Sequence, residues 1–274
     1  MSNITASEVN KLRKATGAGM MDCKNALVEA NGDFELAIEN LRKKGQKVAA
    51  KRADRDSTEG AVIAMVNDDK TKGVVISLNC ETDFVAKNES FIDLAKSFCK
   101  IALNCSTHNE LLSSNYDSMT VAEKLIEQTG VIGEKLEIGA FESISSEYVG
   151  FYIHAGNKIA TLAGLSNKFE NASDVAKNVA MQVAAMNPIA LNEDSVSKEI
   201  IEKEIEIAKE QLRAEGKPEA MLDNIAKGKL KKFFKENTLV NQAYIKDNKS
   251  SLQNYIQSEN QDCVITNFKR IALV

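Results

Sequence analysis

Residues 60–80 read GAVIAMVNDDKTKGVVISLNC, two apolar runs on either side of a polar turn. Both runs are short and rich in Val and Ile, which is typical of buried β-strands. The stretch between them contains Asn, Asp and Gly, which favour turns. We therefore predict a β-hairpin, followed by helices in FIDLAKSFCKIAL (91–103) and TVAEKLIEQTG (120–130) and a strand in KLEIGAFESI (135–144).

The same order of elements recurs further along the chain. YVGFYIH (148–154) and KIATLAGL (158–165) flank a short turn, DVAKNVAMQVAAM (174–186) has helical periodicity, and CVITNFKRIALV (263–274) closes the chain as a strand. Two hairpin–helix–strand units of this kind pack naturally as an α+β body with small antiparallel sheets. We predict two related half-domains, although their residue-level similarity is weak.

The first 45 residues have the pattern of a compact three-helix module. Thr5 and Glu8 have the spacing of a capping box for the first helix, and a second helix follows GAGMM. Asp33 would cap a third helix that ends before Gly45. The charged and apolar-poor stretch 46–59 is predicted to be a flexible linker.

A long charged segment interrupts the second half-domain. Apolar residues recur at helical spacing from Ile201 to Leu212 and again from Leu222 to Phe233, with Gly216 and Pro218 between the two stripes. This pattern predicts an antiparallel helical hairpin that projects from the body. The predicted segments of the whole chain are a three-helix module at 1–45, a linker at 46–59, a core N-subdomain at 60–146, a core C-subdomain at 147–194 and 237–274, and the helical hairpin at 195–236.

Composition excludes several classes of function. The 274 residues carry a formal net charge of −4, which gives no overall attraction to nucleic acid or to an anionic membrane. No apolar run approaches the roughly 20 residues that a membrane span needs. The N-terminus lacks a charged region followed by an apolar one, so we expect no signal peptide and a cytoplasmic protein.

The sequence also lacks the residue patterns of a catalytic or metal site. The five cysteines have no CxxC spacing, and the two histidines, His108 and His154, have no partner ligand at metal-binding spacing. We interpret the cysteines as reduced, buried thiols. No phosphate-binding glycine loop and no nucleophile with its base is present. We therefore predict a protein that is not an enzyme and holds no cofactor or metal.

The loop after the first hairpin, NCETDFVAKNESF (79–91), places Asp83 and Phe84 side by side where no regular element is predicted. Binding residues are often found in such loops. The alternative is plain turn chemistry, in which Asp83 caps the next helix and Phe84 plugs the base of that helix. The residues alone leave these two interpretations even.

Three motifs give the chain a family resemblance: LRKATGAGMMDCKNAL near the start, NCETDFVAKN at the loop and GKLKKFFKENTLVNQAYIKD late in the sequence. The chain resembles bacterial elongation factor Ts, the guanine-nucleotide exchange factor of elongation factor Tu, and the three motifs occur in the order of that family. The resemblance implies a module similar to a ubiquitin-associated domain, a two-subdomain core and a helical-hairpin module through which two copies dimerise. Some members have a further C-terminal helical module, and the sequence stops at Val274 without one, so no contact from it is expected.

The resemblance assigns roles to the loop residues. Thr82, Asp83, Phe84 and Val85 match the segment that disturbs the magnesium site of elongation factor Tu. The resemblance implies elongation factor Tu as the partner, in its GDP-bound and its nucleotide-free states. A wedged aromatic ring can displace a side chain that supports the metal, and a nearby carboxylate can perturb the groups that organise its water ligands. Neither residue needs to be a ligand.

Five further residues match positions that contact elongation factor Tu in the family. Met20 and Met21 begin the second helix, and because adjacent helical residues point about 100° apart, we expect one of them in the core and one exposed. Without this match, Ile132 and Gly133 would be interpreted as a turn whose isoleucine packs in the core. His154 ends a strand, where a lone histidine is usually structural.

Three other functions stay open as alternatives. The module at 1–45 could act alone as an adaptor, in which case the core would be dispensable for binding. An enzyme would need a catalytic constellation that the sequence lacks. The lysines of 227–232 could bind RNA, but glutamates flank them and the net charge is negative, so a solvated helix face is the better interpretation.

Overall fold

The computed structural model describes residues 4–273; positions 1–3 and Val274, with the predictions that concern them, lie outside the described residues. The architecture is the predicted mixture of helices and small antiparallel sheets. The helices are α1 (Ala6–Thr16), α2 (Met20–Glu29), α3 (Phe34–Arg52), α4 (Asp83–Ala86), α5 (Glu89–Ala102), α6 (His108–Ser113), α7 (Val121–Ile132), α8 (Ala172–Met186), α9 (Lys198–Ala214), α10 (Glu219–Asn237) and α11 (Leu252–Glu259). The strands are β1 (Glu59–Val66), β2 (Lys72–Cys80), β3 (Asn115–Tyr116), β4 (Met119–Thr120), β5 (Glu137–Ser145), β6 (Tyr148–Ile153), β7 (Ile159–Leu165), β8 (Ala243–Tyr244), β9 (Asp247–Ser251) and β10 (Ile265–Ala272).

The first half-domain is built on the predicted hairpin. β1 and β2 pair in antiparallel register, and β5 adds to the other edge of β2. Phe91, Leu94 and Phe98 of α5 are buried against one face of this sheet, where they meet Ile63 and Ile76. α7 closes the same core, so the helices predicted at 91–103 and 120–130 are confirmed.

The second half-domain repeats this topology. β6 and β7 form the second hairpin, and β10 adds to β7, so the third strand again pairs with the second strand of the hairpin. α8 covers the outer face, and its buried side chains include Val175 and Val179. The small elements β8, β9 and α11 complete this core through a stacked pair, Tyr244 and Tyr255, whose ring centroids are 4.1 Å apart. They are too short and too polar for sequence patterns to predict.

The two sheets pack on each other and form a third core. Val62 and Val75 of the first sheet meet Val149 and Leu162 of the second. The central strands are therefore covered on both faces, and this explains why β1 and β2 are almost continuously apolar instead of alternating. The body has four layers: helices, sheet, sheet and helices.

The N-terminal helices α1–α3 enclose a small core of their own. The capping box is confirmed, because Thr5 Oγ1 accepts from the Glu8 backbone N–H and Glu8 accepts from the Thr5 backbone N–H at 2.7 Å. Asp33 caps α3 as predicted, by accepting from the Leu36 backbone N–H at 3.0 Å.

The predicted end of the third helix is wrong. α3 continues through Gly45 to Arg52, so the first half of the predicted linker at 46–59 is helical. Gly45 is a buried helical residue whose backbone lies directly against Gly130 of α7. A glycine ends a helix only when nothing stabilises the helix beyond it. Here the packing of α3 on α7 stabilises the residues that follow Gly45. The three helices are thus joined to the core by a packed helix and not by a flexible tether.

The helical hairpin is confirmed as α9 and α10, which turn back at Gly216 and Pro218. Ion pairs connect its two arms, including Arg213–Glu219 at 2.7 Å. Its root is fixed to the body by a buried cluster that contains Val196 and Phe234. None of the helices in the described part of the chain is both long and apolar enough to span a membrane.

Candidate functional site

Phe84 stands out of the molecule on a short, well-anchored turn. The helix α4 is only four residues long and leads from β2 into α5. Thr82 caps it by accepting from the Val85 backbone N–H at 3.5 Å, while Val85 packs on the first core and Ala86 is buried. The Phe84 side chain is 84% exposed. The alternative in which Phe84 plugs the base of the next helix is therefore wrong.

Asp83 is not the cap of a helix either. The residue that caps α4 is Thr82, and the one that caps α5 is Asn88. The Asp83 carboxylate accepts from Lys87 Nζ at 2.6 Å, and this hydrogen bond lowers the pKa of Asp83 below its ordinary value. Asp83 therefore keeps its negative charge beside the exposed ring at neutral pH.

Gly133 and Ile132 lie next to this turn. Ile132 is half-buried against the first core, and Gly133 ends α7 with a φ of 81°, a conformation that favours glycine. The left-handed residue turns the chain so that the next residue, Glu134, reaches back to Thr82. Glu134 Oε1 accepts from Thr82 Oγ1 at 2.6 Å. The C-terminal end of α7 is thereby attached to the Phe84 turn.

His154 lies in the second half-domain. It is exposed, follows β6 and begins the tight turn that leads into β7. Its Nδ1 is 3.0 Å from the Tyr152 hydroxyl. A shallow groove lined by Asp83, Lys87 and Asn157 connects this turn with α4. The second half-domain thus contributes to the surface around Phe84.

Met20 and Met21 are both exposed, at 55% and 64%. The expectation that one of them is a core residue is wrong, because the inner stripe of α2 is instead made of Cys23, Ala26 and Leu27. The loop before α2 packs against Val131 of α7, one residue before Ile132 in the chain. The loop before the methionine pair therefore contacts α7, and the segment that follows α7 contacts the Phe84 turn.

Contacts made by neighbouring residues connect the segments that carry the sequence-predicted site residues. This series of contacts joins the loop before Met20 to Val131 of α7 and Glu134 to Thr82, and it places Asp83 on one shallow groove with Asn157, from the turn that His154 begins. Glu134 and Lys87 belong to this series and were not predicted. No local pattern marks Glu134, because its hydrogen-bond partners are more than fifty positions earlier in the sequence.

Two lysines in the basic run of α10 are paired with glutamates of the same hairpin. Lys229 is paired with Glu215 at 3.8 Å and donates to Gln211 at 3.1 Å, and Lys232 is paired with Glu236. Phe234 is buried in the root of the hairpin. These contacts favour the interpretation of this run as a solvated helix face.

Within residues 4–273, no three His, Cys, Asp or Glu side chains lie close enough together to hold a metal ion. All five cysteines are buried and unpaired. Burial raises the pKa of both Cys80 and Cys99 to about 12, so these thiols stay protonated at neutral pH.

Comparison with known proteins identifies the family of the chain. A family model described as Elongation factor TS matches residues 81–273, which include the Phe84 turn. The chain is 66% identical to elongation factor Ts of Christiangramia forsetii and 64% identical to that of Flavobacterium psychrophilum, in each case over the full length of both chains. It is 51% identical to elongation factor Ts of Amoebophilus asiaticus over 98% of both. The chain is therefore a translation elongation factor and belongs to the elongation factor Ts family.

Proposed function

We propose that this protein, without acting as an enzyme, binds elongation factor Tu carrying GDP, disturbs its magnesium and phosphate site, and so speeds the release of GDP. GTP then enters the emptied site. The observation that carries the proposal is Phe84, a large aromatic side chain that is 84% exposed on a turn anchored from both sides. An exposed aromatic side chain adds nothing to folding stability, whereas the same side chain adds affinity when an interface buries it.

The Phe84 ring acts as a wedge. Its neighbours Val85 and Ala86 are packed on the core, so the turn resists being pushed back when the ring enters the partner. The Asp83 carboxylate adds a negative charge at the same place, and the hydrogen bond from Lys87 lowers its pKa. Inside the partner, a displaced side chain and a new carboxylate both weaken the groups that orient the water ligands of Mg²⁺.

The surrounding residues supply affinity. Met20 and Met21 offer adaptable apolar contacts, a role that suits exposed methionine. We propose that Ile132, Gly133 and His154 add further contacts with the partner. By linkage, a factor that weakens nucleotide binding is itself weakened by nucleotide to the same extent, so incoming GTP expels it.

The helical hairpin is the proposed site of self-association. The two helices of the hairpin pack on each other, but three apolar side chains stay exposed: Ile200 and Ile207 of α9 and Met221 of α10. A second copy of the chain would cover these side chains. This role is independent of the Phe84 wedge.

The proposal is tested by the release of a fluorescent GDP analogue from elongation factor Tu at saturating factor. Phe84→Ala is expected to remove a buried aromatic contact worth on the order of 2 kcal/mol in the complex, which is roughly a thirtyfold loss of acceleration. Affinity for nucleotide-free elongation factor Tu should fall less, because the other contacts remain.

The matched control is Phe151→Ala, the same truncation at a half-exposed phenylalanine of β6. It should leave the saturating rate unchanged. Thermal melting of both variants accompanies the assay, and Phe84→Ala should melt with the parent because its side chain is exposed. Normal exchange by Phe84→Ala would contradict the proposal.

A further inference from the structure

We propose that Glu134 is a positioning residue for nucleotide exchange, which holds the Phe84 turn in the conformation that presents the ring to the partner. This inference rests on the proposed function and concerns how the wedge is kept in place. Glu134 does not belong to the exposed surface of Phe84. It acts on the turn through its hydrogen bonds with Thr82.

The Glu134 carboxylate accepts three hydrogen bonds from the start of the turn. Its Oε2 accepts from the backbone N–H groups of Glu81, at 3.1 Å, and Thr82, at 3.0 Å. Its Oε1 accepts from the Thr82 hydroxyl at 2.6 Å. Hydrogen bonds to a charged acceptor are among the stronger ones in proteins. A single side chain therefore fixes both the backbone and the capping residue of α4.

A reciprocal contact strengthens this attachment. Glu81 Oε1 accepts from the backbone N–H of Lys135 at 2.7 Å, so the two loop segments exchange hydrogen bonds through their neighbouring glutamates. Arg52 Nη1, at the end of α3, donates to both Glu81 oxygens at 2.7 and 2.8 Å. We call Glu81, Glu134 and Arg52 the glutamate clamp. It connects α3, α7 and the Phe84 turn.

Core contacts of Val85 and Ala86 hold the end of the turn, and the clamp is needed at its start, where local hydrogen bonds are weak. A four-residue helix is far below the length at which a helix is stable in water. Its cap is weak as well, since the distance from the Val85 N–H to Thr82 Oγ1 is 3.5 Å. The Thr82 hydroxyl has only one proton, and it is donated to Glu134, which leaves the oxygen oriented to accept from Val85. Without Glu134, the orientation of Thr82 and hence of the capped turn is lost.

A wedge works only while it is rigid. Each alternative conformation of the turn withdraws Phe84 from the partner and lowers the maximal acceleration of GDP release, while the rest of the surface still binds. Glu134→Ala should therefore reduce the saturating rate about tenfold, the equivalent of roughly one charged hydrogen bond. The loss should not exceed that of Phe84→Ala. Glu134→Gln keeps an acceptor for both backbone N–H groups but places an NH2 donor where Oε1 accepts from the Thr82 hydroxyl, so it should recover only part of the rate.

The decisive experiment is a double-mutant cycle on nucleotide release from elongation factor Tu. Saturating rate and half-saturating concentration are measured for the parent, Phe84→Ala, Glu134→Ala and the double variant. If Glu134 acts by holding Phe84, the double variant is no slower than Phe84→Ala, because there is no ring left to position. Glu142→Ala is the matched control: it removes a glutamate paired with Lys269 at 2.7 Å that does not touch the turn, and it should exchange like the parent.

The outcomes separate the two proposals. Additive losses in the cycle, or full activity of Glu134→Ala beside a slow Phe84→Ala, overturn the positioning role and leave the wedge intact. A Phe84→Ala variant that exchanges normally overturns the proposed function and, with it, this inference. If Glu134→Ala does not fold, Thr82→Val removes the hydroxyl that Glu134 accepts from, and the same cycle is run with that variant.

Discussion

Two glycines at one helix crossing should respond in opposite ways to the same substitution. Gly130 of α7 and Gly45 of α3 lie backbone to backbone. A methyl group at Gly130 would come within 3.0 Å of Gly45 Cα and 3.3 Å of its nitrogen. A methyl group at Gly45 would instead be 3.4 Å from the Ile126 carbonyl oxygen and 3.7 Å from Gly130 Cα, which are ordinary contact distances.

The expected free energies follow from this asymmetry. Both substitutions replace a helical glycine by alanine, which stabilises a helix by about 0.5–1 kcal/mol. Only Gly130→Ala adds overpacking, which costs about 1–3 kcal/mol, and its neighbours are backbone atoms that cannot rotate away. We expect Gly45→Ala to be neutral or more stable than the parent and Gly130→Ala to be less stable. Both variants share the gain in helix propensity, so it cancels in the comparison. The free energies of unfolding of the two variants should therefore differ by about 1–3 kcal/mol.

Two measurements test this prediction. Thermal melting compares the variants globally, and amide hydrogen exchange reports on α3 and α7 separately, because a chain with several cores can open locally. Gly130→Ala should raise exchange in α3 around Gly45, and Gly45→Ala should not. Equal effects of the two substitutions, in either direction, would refute the close approach of the two helices.

Two further predictions concern the clamp and the hairpin. The pKa of Glu81 is lowered from 4.5, first by the Lys135 backbone N–H and then by Arg52, so its contribution to stability is present above 4.5 and is lost as pH falls through the lowered pKa. The difference in melting temperature between the parent and Glu81→Gln should thus be largest at neutral pH and shrink below pH 4.5; a constant difference would show that the charge contributes nothing. Replacing residues 202–229 by a short Gly/Ser turn keeps the buried root of the hairpin and should leave a cooperatively folding body with weaker self-association in sedimentation velocity. Loss of cooperative unfolding would show instead that the outer hairpin supports the core.

Several parts of the fold could be predicted from the sequence because their causes are local. The capping box of Thr5 and Glu8, the turn between β1 and β2 and the helical stripes of α5 and α9 each depend on residues close together in the chain. The two hairpins have continuous apolar strands, which indicate burial on both faces. The loop with Asp83 and Phe84 could be picked out for the same reason, as polar and aromatic residues between two regular elements.

The predictions that failed depended on packing between distant segments. Gly45 has the local character of a helix end, yet contact with Gly130 carries the helix on to Arg52. One of Met20 and Met21 was expected in the core, yet the inner stripe of α2 is filled by smaller side chains. Neither outcome can be read from spacing alone, because each is decided by the surface that the helix meets.

The longer amphipathic helices, the two hairpins and the unexplained Phe84 in a loop follow from the sequence, since caps, periodicity and turn residues act over a few positions. Long-range packing turns Phe84 outward and brings Glu134 into hydrogen bonds with the turn that carries it. Hydrogen bonds from Thr82 to Glu134 span fifty-two positions, and no pattern of neighbouring residues specifies such a contact. It exists because α7 and β2 pack on the same core and bring the two loops together.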